Sequence, residues 1–204
     1  MQETGPLERP PRSRPQQRRS RDKLDRILAA SAKLLEEIPY DELGTKLIAE
    51  RAGVSVGGLY RFFPDKESIA EALLVGWLDK MVEILKKASA AELPEQPCAF
   101  IGQTIDAYAE FFRRHPGFRE VFCHAQYSPE LKQAKRRKDE ALATLLHDVL
   151  TVRYQLSGPG LGTSCGIAVR VGYYLLDLGF RDNPDGDLEI IEEAKKLLCR
   201  YLGA

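Results

Sequence analysis

Residues Ile48 to Ile69, IAERAGVSVGGLYRFFPDKESI, are the stretch that decides the fold of this 204-residue chain. Ala49 is small where two helices must approach, Gly53 can take the left-handed conformation a tight turn needs, and Val54 is an apolar plug for the bend. Ser55 stands where it can cap a second helix, and Pro64 closes that helix. Leu59 and Phe62 are three apart and turn inward, which leaves Val56, Gly57, Tyr60 and Arg61 facing out. The spacing therefore predicts short helices over Lys46 to Arg51 and Val56 to Phe62 with a four-residue link. That is a helix-turn-helix, whose second helix enters a major groove.

Upstream, Leu24, Ile27, Leu28, Ser31, Leu34, Leu35 and Ile38 follow the helical period until Pro39 stops it, predicting an amphipathic first helix from Asp22. Downstream, Asp65 can cap a long helix to about Ala90, with Ile69, Leu73, Leu74, Trp77, Leu78, Met81, Ile84 and Leu85 on its apolar side. Further helices are predicted at Cys98 to His115, Gly117 to Tyr127, Pro129 to Leu156, Thr163 to Phe180 and Leu188 to Leu202. The breaks fall at proline and glycine clusters, and no segment reads as a strand. The expected fold is all-α with about nine helices: a basic disordered arm over 1–20, a three-helix DNA-binding domain over 21–66, and a helical ligand-binding and dimerisation domain over 67–204.

Charge is balanced overall, at 30 Lys plus Arg against 30 Asp plus Glu, which taken alone argues against a nucleic-acid partner. The balance is a sum over unlike parts. Residues 1–66 carry 13 basic and 10 acidic side chains, leaving 17 and 20 for the remainder, and Arg9 to Lys23 alone holds seven basic residues and one acidic. The arm admits two readings: a solvated tail without a role, or an extension of the first helix that sets Arg18, Arg19 and Arg21 against phosphates or a narrow minor groove. In the second reading each phosphate contact steepens the salt dependence of binding by about 0.9 in log–log slope.

The helix-turn-helix and its flanks, about residues 22–75, resemble the TetR family of bacterial transcription regulators. The resemblance rests on Ile48-Ala49-Glu50-Arg51-Ala52-Gly53-Val54-Ser55, then Gly57, Leu59-Tyr60, Phe63-Pro64 and Lys66-Glu67, in order and spacing. It implies a homodimeric, one-component regulator, most simply a repressor, that holds a palindromic double-stranded DNA operator and is released by a small apolar or amphipathic molecule. It also implies that Thr45 and Lys46 meet phosphate at the start of the second helix, that Ser55, Val56 and Gly57 enter the groove, and that Tyr60, Arg61 and Lys66 follow. Tyr60 and Lys66 are expected to position the reader, while Lys46, Val56 and Arg61 read base edges. Two positions depart from the family pattern: Gly44 replaces a hydroxyl cap, and Gly58 joins Gly57 inside a short helix, where each glycine costs roughly 1 kcal/mol against alanine. A frayed recognition helix is the expectation from that pair.

In the rear domain, aromatic residues gather as candidate pocket walls: Trp77, Tyr108, Phe111, Phe112, Phe118, Phe122, His124, Tyr127, Tyr173 and Tyr174. The last two helices are the expected dimer pair, with Gly166, Gly172, Leu176, Gly179, Ile191 and Leu198 as contact positions. The triplet His115-Pro116-Gly117 reads as a break with a structural histidine. The run from Lys132 to Lys138 reads as a solvated face paired with Asp139 and Glu140. Cys98, Cys123, Cys165 and Cys199 form no CxxC pair and are expected as reduced core thiols. Cys123-His124 lacks a third spaced ligand, so no metal and no cofactor is expected. The longest apolar run, Ala72 to Leu78, is too short to span a bilayer, and the N-terminus has no secretory apolar core, which points to a cytoplasmic protein without a membrane partner. With no nucleophile elbow, P-loop or dinucleotide fingerprint, an enzyme is disfavoured. An interaction adaptor with a non-functional helix-turn-helix, or a ligand-independent activator, is the alternative.

Overall fold

In a computed structural model, residues 13–124 and 127–204 are described, and they fold entirely as helices and connecting turns. The front domain holds α1 (Ser13–Leu34), a single 3-10 turn (Tyr40–Glu42), α2 (Thr45–Ala52) and α3 (Val56–Tyr60). The rear domain holds α4 (Lys66–Ala90), α5 (Pro97–Arg114), α6 (Pro116–His124), α7 (Pro129–Asp148), α8 (Leu161–Phe180) and α9 (Leu188–Leu202). No described helix is long and apolar enough to cross a membrane.

Local chemistry sets the ends of these helices. The Asp65 carboxylate accepts from the Ser68 N–H at 2.7 Å and starts α4 with a reciprocal cap. Ser128 caps α7 by accepting from Leu131 N–H at 3.1 Å, with Pro129 in the first turn where no amide hydrogen is needed. Asp187 accepts from the amides of Glu189 and Ile190 to begin α9. The apolar faces so fixed bury one continuous core from Ile27 in α1 to Leu202 in α9.

The structure corrects three expectations. Helix α1 already includes Ser13 to Ser20, so the part of the expected disordered arm that is described is helical, and residues 1–12 lie outside the described region. The helix expected to run to Leu156 changes at Val149 into a π-helical turn through Arg153, where the Thr151 hydroxyl donates back to the His147 carbonyl at 2.8 Å. Cys98 in α5 and Cys199 in α9 stand face to face with Cα atoms 5.3 Å apart, within disulfide reach, where four separate core thiols are expected from the sequence. Cys165 is the buried free thiol, and Cys123 is exposed.

The rear domain reaches the front through two helices. Helix α4 packs on α1 as well as on α5 and α7, and α6 packs on α1 and the 3-10 turn. Gly117 is required at the second contact: a Cβ there would stand 2.7 Å from the Leu35 Cβ and 3.2 Å from the Ala32 carbonyl.

Candidate nucleic-acid interface and the cavity behind it

The turn between α2 and α3 is built as its sequence demands. Gly53 takes φ +62°, and Val54 N–H donates to the Ala49 carbonyl at 3.0 Å. The Arg26 guanidinium on α1 donates to the Gly53 carbonyl at 2.8 Å and ties the turn to the first helix, a brace that no motif marks. Arg51 makes a two-pronged pair with Glu37 at 2.8 and 2.9 Å on the same side.

Helix α3 is five residues, shorter than the seven expected. Ser55 caps it by accepting from Gly58 N–H at 3.0 Å, and Leu59, fully buried, pins it to the core. A Cβ on Gly58 would stand 2.9 Å from the capping Ser55 Oγ, which gives this glycine a structural reason; Gly57 faces open space. Lys46, Ser55, Val56, Gly57, Tyr60 and Arg61 are exposed together on the α2–α3 face, with Tyr60 half exposed. Thr45 is half-buried, and its hydroxyl lies 3.1 Å from that of Tyr60. One of these hydroxyls donates to the other, which leaves a proton for an external acceptor and sets the position of both.

Arg19 and Lys23 from α1 line a groove with Gly58, Arg61 and Phe62 from the end of α3. The arm and the recognition helix therefore share one cationic surface through Arg19, Lys23 and Arg61, while Arg18 and Arg21 are exposed on other faces of α1. Lys66 is placed differently from the expectation. Its ammonium donates to the Tyr40 and Asp41 carbonyls at 3.3 and 3.2 Å and lies 4.8 Å from the Tyr40 ring centroid, so it braces the 3-10 turn. Burial, with Glu67 and Asp41 nearby, pushes the Tyr40 phenol up to about 12.

Behind this surface, α4, α5, α7, α8 and α9 enclose a narrow cavity of about 60 Å³. Of the aromatic residues expected around a pocket, Tyr108 and Tyr173 line it. Trp77, Phe111, Phe112 and Phe122 instead form an aromatic core around Phe118, the first three meeting it edge-to-face and Phe122 lying tilted against it, so these rings satisfy one another. Tyr127 turns its hydroxyl to the Phe122 and Val121 carbonyls, Tyr174 is 70% exposed on α8, and the His124 side chain lies outside the described residues. His115 packs on Phe111 at 4.7 Å, and burial lowers its pKa. The walls missed in the sequence are aliphatic, among them Met81, Leu85, Leu142 and Leu146, residues that periodicity marks only as core.

The expected dimer positions also move. Gly172, Leu176, Gly179, Ile191 and Leu198 are buried inside the protomer, and Gly172, Leu176 and Leu198 line the cavity. Gly166 lies in a groove with Asp139 and Arg170 on the α7–α8 side. The exposed apolar side chains of α8 and α9 are Ile167, Tyr174, Leu178, Leu188, Leu197 and Tyr201.

A polar cluster around the buried Asp177 carboxylate ties α6 to α8. Asp177 accepts from Arg119 at 2.8 Å and from Arg181 at 3.1 Å, and the Arg119 guanidinium also donates to the Phe180 carbonyl at 3.0 Å. Burial opposes ionisation of Asp177, but these donors and the Cys123 thiol outweigh it and hold its carboxyl below the usual range.

Two family profiles match the chain: "Bacterial regulatory proteins, tetR family" over residues 27–73, and "Tetracyclin repressor-like, C-terminal domain" over residues 95–204. An uncharacterized HTH-type transcriptional regulator of Mycobacterium tuberculosis is 34% identical over 137 residues, 67% of this chain and 70% of that one. The regulator EthR of Mycolicibacterium smegmatis is 29% identical over 130 residues, 61% of this chain and 58% of its own length. The crystal structure of a TetR-family transcriptional regulator from Streptomyces coelicolor superposes with a TM-score of 0.72 at 34% identity, covering 90% of this chain and 97% of that one. Relatives and family are regulators of transcription, not enzymes. With its helix-turn-helix, its exposed α2–α3 face and an all-helical rear domain, this chain belongs to the TetR family of DNA-binding transcription regulators.

Proposed function

We propose that the chain is a cytoplasmic repressor that holds a palindromic operator as a homodimer and lets go when a small apolar molecule enters the cavity between α4 and α9. The domains divide as a reader over 21–66 and a sensing and pairing unit over 67–204. Thr45, Tyr60 and Arg21 of the reader, with Arg18 and Arg19 just ahead of it, position the duplex through phosphates, and Lys46, Val56 and Arg61 read base edges, with Ser55 and Gly57 at the groove entry. Lys66 acts indirectly, by fixing the turn ahead of α2.

The observation that carries this reading is the place of the cavity. Met81 and Leu85 of α4 form part of its wall, and the same helix packs on α1 of the reader. A molecule that parts the wall at these two residues shifts α4, and it moves the operator equilibrium only as far as its affinity differs between the two spacings of the readers. For pairing, the exposed Ile167, Tyr174, Leu178, Leu197 and Tyr201 offer the apolar area on α8 and α9.

Selection of bound duplexes from a random pool by the full chain is the test. Enrichment of a palindrome, with two protomers per duplex, is the expected outcome. A pool with no enriched sequence overturns it in favour of an interaction adaptor.

A further inference from the structure

We propose that the cavity takes an uncharged, slender apolar molecule bearing one hydrogen-bond acceptor, and that the Tyr173 hydroxyl is the group that recognises this acceptor. The inference rests on the cavity being the effector site and adds the chemical class of its occupant.

Fifteen residues line the cavity, none carries a charge, and three bear polar side-chain atoms: Thr104, Tyr108 and Tyr173. Two of the three are already engaged. The Thr104 hydroxyl donates to the Phe100 carbonyl at 2.8 Å, and the Tyr108 hydroxyl donates to the Met81 carbonyl at 3.1 Å. Tyr173 is 4% exposed, and its hydroxyl has no hydrogen-bond partner among the described residues. A buried O–H without an acceptor carries its desolvation penalty uncompensated, so a guest that supplies an acceptor gains more here than at any other point of the wall.

The surroundings select against an ion. A carboxylate guest meets no cation in the wall and loses its hydration on entry. The ammonium nearest Tyr173, that of Lys135, sits 5.3 Å from its ring centroid but is paired with Asp139 at 3.2 Å. Asp139, whose second oxygen also lacks a partner among the described residues, is a negative neighbour of Tyr173 and repels a further anion. Size adds a second limit. At about 60 Å³ the space holds roughly four to six water-sized groups, so a single chain enters with less displacement of Leu142, Leu176 and Leu198 than a fused ring system.

The experiment is calorimetric titration of the full chain and of Tyr173→Phe with three seven-carbon probes at pH 7: heptane, methyl pentyl ketone and heptanoic acid. The ketone is expected to bind the wild type about five- to tenfold more tightly than it binds Tyr173→Phe, the factor of one neutral hydrogen bond, and to bind the wild type more tightly than the acid does. In Tyr173→Phe the heptane affinity is expected to be unchanged, while the ketone, whose carbonyl then gives up water without gaining a donor, weakens; the variant loses only an unpartnered hydroxyl and keeps its fold. Tightest binding of the acid, a ketone affinity that is unchanged in Tyr173→Phe, or no binding of any probe overturns the assignment. Operator release, followed in the same samples by gel shift, separates this from the parent reading. Ketone bound with the operator still held leaves the assignment standing and removes effector release. Release by the acid alone, with the ketone ignored, does the reverse.

Discussion

The Glu120 carboxylate on α6 accepts a hydrogen bond at 3.1 Å from the backbone N–H of Tyr40, the residue that opens the 3-10 turn ahead of α2. Helix α6 thus holds the front domain directly, beside the expected route through α4. The same helix is tied to α8 through Arg119 and Asp177, so a displacement on the cavity side has a second path to the DNA-binding face.

Gly117→Ala tests how tightly that path is fitted. Its Cβ would meet the Leu35 Cβ at 2.7 Å and backbone at 3.2 Å, neither of which can yield without moving α6 off α1. A loss of about 1–3 kcal/mol is expected in urea unfolding, as for other overpacked cores, together with weaker operator binding. A variant as stable as the wild type shows that the contact is slack.

The two adjacent glycines of the recognition helix should separate under substitution. Gly57→Ala adds its methyl group to open space and is expected to stabilise the free protein by up to about 1 kcal/mol. Gly58→Ala presses on the Ser55 cap at 2.9 Å and is expected to give no such gain. Amide exchange at Leu59 to Phe62 follows the same order: protection rises in the first variant only, and equal protection in both rejects the capping argument.

Pairing through the exposed face of α8 and α9 predicts that Tyr174→Glu or Leu178→Glu gives a folded monomer that no longer holds the operator. Both side chains stand outside the protomer core, so each variant should keep the helical circular dichroism of the wild type. Leu198→Glu, by contrast, buries a charge in a site 3% exposed and is expected to unfold the chain. Sedimentation of the first two variants as dimers relocates the interface.

Asp177 predicts an acid limit. Its carboxyl titrates lower in the folded chain than in the unfolded one, so its stabilising contribution is fully present above the unfolded value of about 3.9 and is lost as pH falls through the lower folded value. Asp177→Asn, which strands Arg119 and frees the half-exposed Arg181, is expected to cost about 1–3 kcal/mol at pH 7. The gap between variant and wild type should narrow below about pH 4; a gap that stays constant to pH 3 removes the ion cluster from the explanation.

Helix positions were legible from the 3.6-residue period together with proline and glycine breaks, and the turn at Gly53 from the one residue type that tolerates its φ. Periodicity does not say which buried face meets which neighbour. Phe118 and Leu176 obey the same period, yet one centres an aromatic core and the other walls a cavity. Nor does it separate an inward helix face from a partner-facing one, which is why Leu198 and Ile191 read as dimer contacts and prove to be interior. Lys66 was visible as a cation in a family motif, but its two carbonyl partners come from a turn 25 and 26 residues away.

The sequence by itself determined the elements and the reader, because capping, turn geometry and the amphipathic period act over a few residues and leave their mark in residue type. Only the tertiary structure decided the cavity, the outward face of α8 and α9, and the second bridge through α6. Each of these depends on which helices close on one another, and a side chain at Tyr173 or Gly117 acquires its role from neighbours that are remote along the chain.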